Sequence, residues 1–340
     1  MPTAENAVLY YEAGQDPTAM VVLTDDGDHI VFNSAADFWS NRDGYAPVVR
    51  PNGLITGGAV IPGVSGSNDK IDVAALKCYL AGVKTEVATA ADEDITRGLT
   101  TDICIINSVT VNSAGAIAII AGTDHTEFSE TRGANGGPPW IPTGSIEIAQ
   151  VRLNSIAAAV VTADEIFQVV GTHRERWDYP TWDEKRVRIT DQVVGYAGID
   201  FISALPLIHS DDAGTNTAGK KVYAEYYGPI WAELPNVENF VPPENSYSVS
   251  SKQVYGGTLG ASSASLGQGS FTHYPQDGIT DNIIKLAGEI LLYKYKQNRL
   301  KDPYVICQGK LGIAPTYPAG DNLTMGATIS AEKVAQRAAS

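Results

Sequence analysis

The sequence predicts a mainly β protein, and three observations carry the prediction. Short β-branched or alternating apolar runs recur along the chain, clusters of Gly, Pro, Asn and Asp separate them, and only two brief segments have helical character. With 33 Gly and 18 Pro as punctuation, strands joined by turns are the consistent reading. Taken in order, Met20–Leu23 is strand-like and is followed by an acidic turn, Asp25-Asp26-Gly27-Asp28. The apolar run Ile30-Val31-Phe32 comes next, so the acidic turn is a hairpin tip. Ser34–Trp39, behind an Asn33 or Ser34 cap, is expected to be a short helix. Further strands are expected at Ile103–Val111, Ala116–Ala121, Ile146–Leu153, Lys221–Tyr227, Ile290–Tyr295 and Tyr304–Ile313. A second short helix is expected at Thr280–Leu286, where Ile283, Ile284 and Leu286 suggest one buried side. The segment Thr131–Pro142, TRGANGGPPWIP, can form neither helix nor paired strand over most of its length and reads as a long loop.

At 340 residues the chain suffices for one large domain or two of medium size. Short Gly-, Ala- and Val-rich strands give way to the charged, aromatic stretch Thr172–Arg188 and then to a tyrosine-rich half. The expected division is therefore 1–175, an N-terminal β-rich domain or elaboration, and 176–340. The apolar stretches Ile117–Ala121 and Ile156–Val161 are far short of the roughly 20 residues of a membrane helix. No basic-then-apolar segment opens the chain, so an unprocessed protein is expected. Cys78, Cys104 and Cys307 are widely spaced and odd in number, which gives neither a disulfide framework nor a metal motif; they are expected as small core residues in a reducing compartment.

The net charge is −15, and it is unevenly distributed. Residues 1–100 carry 14 acids and 6 bases, and residues 101–200 carry 13 and 7. A protein that grips nucleic acid neutralises phosphates with Lys and Arg, so DNA or RNA is not expected as a tightly held ligand. A surface past which DNA must slide without sticking would have this sign.

No chemical motif survives inspection. Gly214–Lys221, GTNTAGKK, has the glycines and lysine of a phosphate-binding loop, but Lys221 stands where a hydroxyl is needed and the continuation VYAEYY is strand-like. A turn between strands is the better reading. His29, His125, His173, His209 and His273 are scattered singly, without a partner at helical spacing for a metal. The acidic turn at 25–28 lacks the alternating ligands and terminal Glu of a calcium loop. Ser65 in PGVSGS lacks the full nucleophile elbow, and Cys104 lies in a strand-like run. Acid pairs such as Asp164 and Glu165 are expected as surface groups, because a glycosidase needs two carboxyls across a cleft. No catalytic, cofactor-binding or metal-binding residue is assigned, and a noncatalytic protein is expected.

The second half reads as a unit through Val222–Pro243 (VYAEYYGPIWAELPNVENFVPP), Ser246–Tyr255 (SYSVSSKQVY), Leu266–Asp281 (LGQGSFTHYPQDGITD) and Tyr304–Thr316 (YVICQGKLGIAPT). In this pattern it resembles the major tail protein, or tail tube protein, of long-tailed bacteriophages. The resemblance covers residues 185–340. It implies a β-sandwich or barrel-like domain with one short flanking helix and a polar C-terminal arm, to which the first half adds a further N-terminal β domain. It also implies homo-oligomeric rings, commonly hexameric, stacked into a tube that conducts DNA within the virion. Such a tube would be assembled in the host cytoplasm with other tail proteins and without a membrane. Gly53–Gly63 and Lys70–Gly82 look instead like β-modules of phage fibre and baseplate proteins, which leaves a fibre, baseplate or decoration protein as the alternative. Assembly is expected to use edge strands, the Thr131–Pro142 loop and the arm Ala327–Ser340, with Lys220 and Lys221 between subunits. The arm has few apolar groups, so its deletion is expected to spare the fold and impair polymerisation.

Overall fold

A computed structural model describes residues 6–36, 38–168, 186, 187, 197–201, 204, 205, 207–210 and 217–338. Mainly β architecture is what it shows. The chain opens with β1 (Val8–Val22), a short hairpin of β2 (Thr24–Asp25) and β3 (Val31–Asn33), and β4 (Val48–Pro51). Ten strands follow: β5 (Gly53–Gly57), β6 (Val60–Pro62), β7 (Lys70–Val73), β8 (Leu76–Leu80), β9 (Val83–Val87), β10 (Ala90–Asp94), β11 (Ile105–Val111), β12 (Ile117–Ala121), β13 (Ile146–Leu153) and β14 (Ile166–Gln168). The chain then passes through β15 (Arg186–Val187), β16 (Gly198–Asp200), β17 (Leu207–Ser210) and β18 (Thr217–Gly219). The remaining elements are β19 (Val222–Leu234), β20 (Val237–Val241), β21 (Asn245–Val254), β22 (Gly257–Leu266), β23 (Gly269–His273), the helix α1 (Asn282–Lys285), β24 (Ile290–Lys296), β25 (Tyr304–Thr316), β26 (Thr324–Ser330) and β27 (Gln336–Ala338).

The largest sheet runs β20-β23-β26-β25-β24-β1-β19-β4, with β27 also paired to β25, and every pairing in it is antiparallel. Alternation explains its faces. Along β24, Leu291 and Tyr293 point into a core with Leu9, Tyr11, Leu234, Phe271, Leu311 and Ile329. Leu292 lies on the opposite face with Ile306, covered by Phe38 and flanked by Trp231 and Tyr304. Helix α1 flanks the sheet and buries Ile283 in the first of these cores. Glu12, fully buried on β1, accepts from the Leu292 amide at 3.2 Å, from Gln15 Nε2 at 2.8 Å and from the Ser40 hydroxyl, which ties the 34–45 segment to the sheet. Burial without those donors would be costly for a carboxylate.

The strands expected from sequence are present, and so is the acidic hairpin, where Thr24 pairs with Asn33 and Asp25 with Phe32. Three expectations are corrected. Ser34–Trp39 forms no helix among its described residues. Ser34 Oγ instead accepts from the Ala36 amide at 3.2 Å and from Trp39 Nε1 at 3.0 Å, and Phe38, Trp39 and Ser40 are buried in succession, which a one-sided helix cannot achieve. The boundary at 175 lies outside the described residues, and the sheets do not divide the chain there. Strands β1 and β4 belong to the large sheet, and β3 pairs with β16. The third correction concerns the arm from Ala327. Strand β26 is interior, between β23 and β25, and Ala327, Ile329 and Ala331 join the core. Alternating Thr324-Met325-Gly326-Ala327-Thr328-Ile329 buries every second residue, so a short polar-looking sequence completes the sheet.

The part that can be called additional is residues 53–168, carried between β4 and the return of the chain. It contains the sheets β5-β8-β9, β10-β7-β6 and β12-β11-β13-β14. Its core is wholly its own, built from residues such as Leu54, Ile71, Cys78, Val109, Ile148 and Val151. The chain leaves and returns side by side: Pro51 pairs with Val222, and the Asn52 amide donates to the Lys221 carbonyl at 3.3 Å.

Candidate assembly surface

Strands β21 and β22 form a two-stranded ribbon of ten cross-strand pairs in unbroken register, from Asn245–Leu266 to Val254–Gly257. The ribbon pairs with no other described strand, and nineteen of its twenty strand residues are exposed. It continues the edge hairpin of β20 and β23 beyond the core. Pro242 and Pro243 interrupt one side of the ladder, and the Gly267 amide returns to the Glu244 carbonyl at 2.9 Å on the other. Ten residues at about 3.4 Å each give a projection of about 34 Å.

The two faces differ, because cross-strand partners share a side. One face carries Tyr247 against Ala264, Val249 against Ser262 and Asn245 against Leu266. On the other, Ser246 pairs with Ser265 at 2.8 Å between hydroxyls, and Ser248 with Ser263 at 2.7 Å. Tyr255 and Gly256 form the tip, with Gly256 supplying the positive φ of 90° that closes the turn. Tyr255 is fully exposed, and Tyr247, Val249 and Leu259 are 73%, 79% and 63% exposed. An isolated two-stranded hairpin is marginal in water, and both outer edges present unpaired backbone groups of the kind that recruit another chain.

The ribbon is nearly free of charge. Residues 245–266 contain no acid and a single base, Lys252, in a chain of net charge −15. The acidic excess resides largely in residues 1–52, with eight acids and two bases, and 53–168, with thirteen and six, whereas residues 222–338 carry ten acids and nine bases. Residues 222–338, which supply most strands of the large sheet, are thus close to neutral.

The other candidates resolve as structure. Thr217–Gly219 pairs with β17 and leads directly into β19, as a turn between strands requires; residues 211–216 lie outside the described set. Lys220 is buried within the subunit rather than offered to a neighbour, because it follows that hairpin into the core. The loop Thr131–Pro142 is buried at residues 136–139, while Thr131, Gly133 and Asn135 stay exposed. Arg132 holds the loop from within, donating to the Pro139 carbonyl at 2.7 Å and to Glu147 at 2.5 Å. Ile141 then bridges to His209, fastening the loop to the returning chain.

Asp25, Asp26 and Asp28 bring their oxygens within 4.8 Å of one another, but those oxygens accept from the backbone amides of Gly27, Asp28, His29, Ile30 and Val31. The amides of Val31 and Ile30 lower the Asp28 pKa from its ordinary value. His209 meets the Ser145 carbonyl, His273 lies between the Pro235 carbonyl and Asp281, and His173 is outside the described residues. Ser65 donates to Asp92. Glu165 accepts from the Thr162 amide, an N-terminal capping role. The three thiols are free and buried; burial pushes Cys78 up to about 11 and Cys307 up to about 12, and raises Cys104 as well.

The composition of the ribbon was readable in the sequence, as an acid-free serine-rich run around Gly256-Gly257. Its isolation from the core was not. No protein-family model, curated protein or solved structure matches the chain, so the ribbon and the sheet that carries it are the features from which function is argued.

Proposed function

We propose that this chain is a noncatalytic, self-assembling virion subunit, the building block of a phage tail tube. In this reading copies join through ribbons and sheet edges into rings, six to a ring as in the family it resembles. The rings stack with other tail proteins into a conduit that DNA passes without being held. One observation carries the reading: a long ribbon with two open edges and an uncovered apolar face carries no acid, in a strongly acidic chain. Like charges brought together would oppose association, so the acid-free ribbon is the element best suited to meet another copy. The near-neutral sheet supplies no cationic track for phosphates, which suits transient cargo.

Excision of residues 245–266, joining Glu244 to Gly267 through two glycines, tests the proposal. The ends already meet at 2.9 Å, so the excised chain is expected to keep the wild-type cooperative thermal unfolding, its circular dichroism reduced only by the twenty strand residues removed. Negative-stain images of the wild type should show rings or tubes, and the excised chain should sediment as a monomer. A wild type that stays monomeric at high concentration, or an excised chain that still polymerises, overturns the proposal.

A further inference from the structure

The longest strand of the large sheet has opposite charge at its two ends. β1 begins beside the turn from β24 to β25, where Val8 pairs with Lys296 and the Arg299 amide donates to the Asn6 carbonyl at 2.8 Å. It leads at its other end into the acidic hairpin, Asp25-Asp26-Gly27-Asp28. β1 is 15 residues long, so at about 3.3 Å per residue Val8 and Val22 stand about 45 Å apart. The first end is basic. Residues 294–301, KYKQNRLK, hold four bases and no acid in a chain of net charge −15. They border a cleft of about 370 Å³ whose lining includes Gln297, Asn298, Lys301, Tyr304 and Arg337 and no carboxylate. Asp302 follows, but it lines a neighbouring cleft with Lys294 and Lys296. Arg299 pairs with Glu233 at 2.9 Å, Arg337 pairs with Glu244, and Lys294 lies 4.4 Å from the ring centre of Trp231. Lys296 and Lys301 form no ion pair among the described residues, and Lys301 is exposed. The bases make a patch at one end, not a track along the sheet.

The other end is the complement of the first. Asp26 and Asp28 are exposed at the hairpin tip, and the oxygens of Asp25, Asp26 and Asp28 crowd within 4.8 Å of one another. Among the described residues no Lys or Arg pairs with them, and only His29 meets one, at Asp25. The exposed acids of β9 and β10 differ, because lysines of the same subunit already answer them: Glu86 pairs with Lys77 at 2.6 Å and Asp94 with Lys70 at 2.6 Å. Unanswered acids therefore stand at one end of β1 and unanswered bases at the other.

We infer that the basic cleft receives the acidic hairpin of a second copy, with Lys301 and Arg337 facing Asp26 and Asp28. The inference rests on the self-assembly reading and deepens it, adding a polar contact to the one made by the ribbon. Opposite charges steer the encounter and fix its register. A subunit's own hairpin stands too far along β1 to enter its own cleft. Contact between unlike ends is heterologous, so it runs from copy to copy, as a ring or a row requires. A long polyanion is the poorer occupant, because the net charge of −15 repels it.

The test uses the full-length chain. Both target side chains are exposed, so Lys301→Glu and Asp26→Lys should each keep the wild-type thermal unfolding. Each should raise the critical concentration for assembly at least about tenfold, since each sets like charges face to face. An equimolar mixture of the two variants should assemble near the wild-type concentration, because alternating copies then present unlike charges at every contact. If the wild type assembles and the single variants assemble at the same concentration, or the mixture gives no rescue, the end-to-end contact is wrong and the tube reading stands. Retention of the wild type on immobilised heparin at about 150 mM NaCl, lost in Lys301→Glu, would give the cleft to a polyanion and overturn the inference. A wild type that never assembles overturns both.

Discussion

Ile329→Ala probes the interior status of β26, because the surroundings of that residue leave no room for repair. Ile329 is fully buried and sits in register between Gly269 on β23 and Leu311 on β25. A Cβ added at Gly309 would lie 2.6 Å from Ile329 Cγ2, and one at Gly269 3.2 Å from Ile329 Cβ. The isoleucine therefore fills the space that two glycines vacate, and neither glycine has atoms to move into the void. Buried Ile→Ala changes cost about 2–5 kcal/mol, rising with the cavity left behind, so a loss of about 4 kcal/mol is expected. Urea denaturation followed by tryptophan fluorescence would read it as a lower midpoint at unchanged slope. At about 2–4 °C per kcal/mol for a chain of this size, Tm falls by about 10 °C. Deletion of residues 327–338 should prevent folding altogether. A shift under about 1 kcal/mol for the point variant, or a deleted chain with wild-type circular dichroism, would refute the placement of β26 inside the sheet.

Gly309→Ala, the converse change, forces a methyl against Ile329 and the Ser330 carbonyl at 2.8 Å, and should destabilise by about 1–3 kcal/mol in the same urea assay. Arg132→Ala releases the loop at 131–142 from Glu147 and from the Pro139 carbonyl; faster trypsin-independent proteolysis within that loop, mapped by mass spectrometry, is the expected outcome. Native protein at pH 8 should show no thiol reactive toward Ellman's reagent, and three after denaturation in guanidinium. Burial raises the Cys78 and Cys307 pKa from 9.0 to about 11 and about 12, so folding favours their neutral forms. Their stabilising share is complete below pH 9 and is lost as pH climbs toward 12. Replacing both with alanine should therefore flatten the alkaline fall in stability across that window.

Alternation made individual strands legible. Lys221–Tyr227 was readable because Val222, Ala224 and Tyr226 are buried and the residues between them are half-exposed. Ile105–Val111 was readable as a run rich in β-branched residues, and it is buried at all seven positions between β12 and β13. Partnership was less legible. That β1 pairs with β19 and β24, more than two hundred residues away, leaves no local mark, so a composition change near 175 was an unreliable guide to which strands share a sheet. Polar appearance misled at β26, where small residues hide a buried isoleucine, and at Lys220, whose burial follows from a hairpin that places it beside the core. At the ribbon, residue types could be read as strand-forming, but only the fold shows that nothing in the same subunit covers them.

The meeting of Asn52 with Lys221 bears on the order in which the molecule forms. These residues are 169 positions apart, and closing so long a loop by random search costs roughly 4–5 kcal/mol of chain entropy. The intervening unit has a core of its own, and through Ile141 and His209 it grips the chain twelve residues before Lys221. Once collapsed, it delivers both stubs together, so that β4 and β19 zip as near neighbours rather than as distant strangers. The inserted unit thus serves as an internal scaffold for biogenesis, and slowing its collapse should slow maturation of the whole sheet.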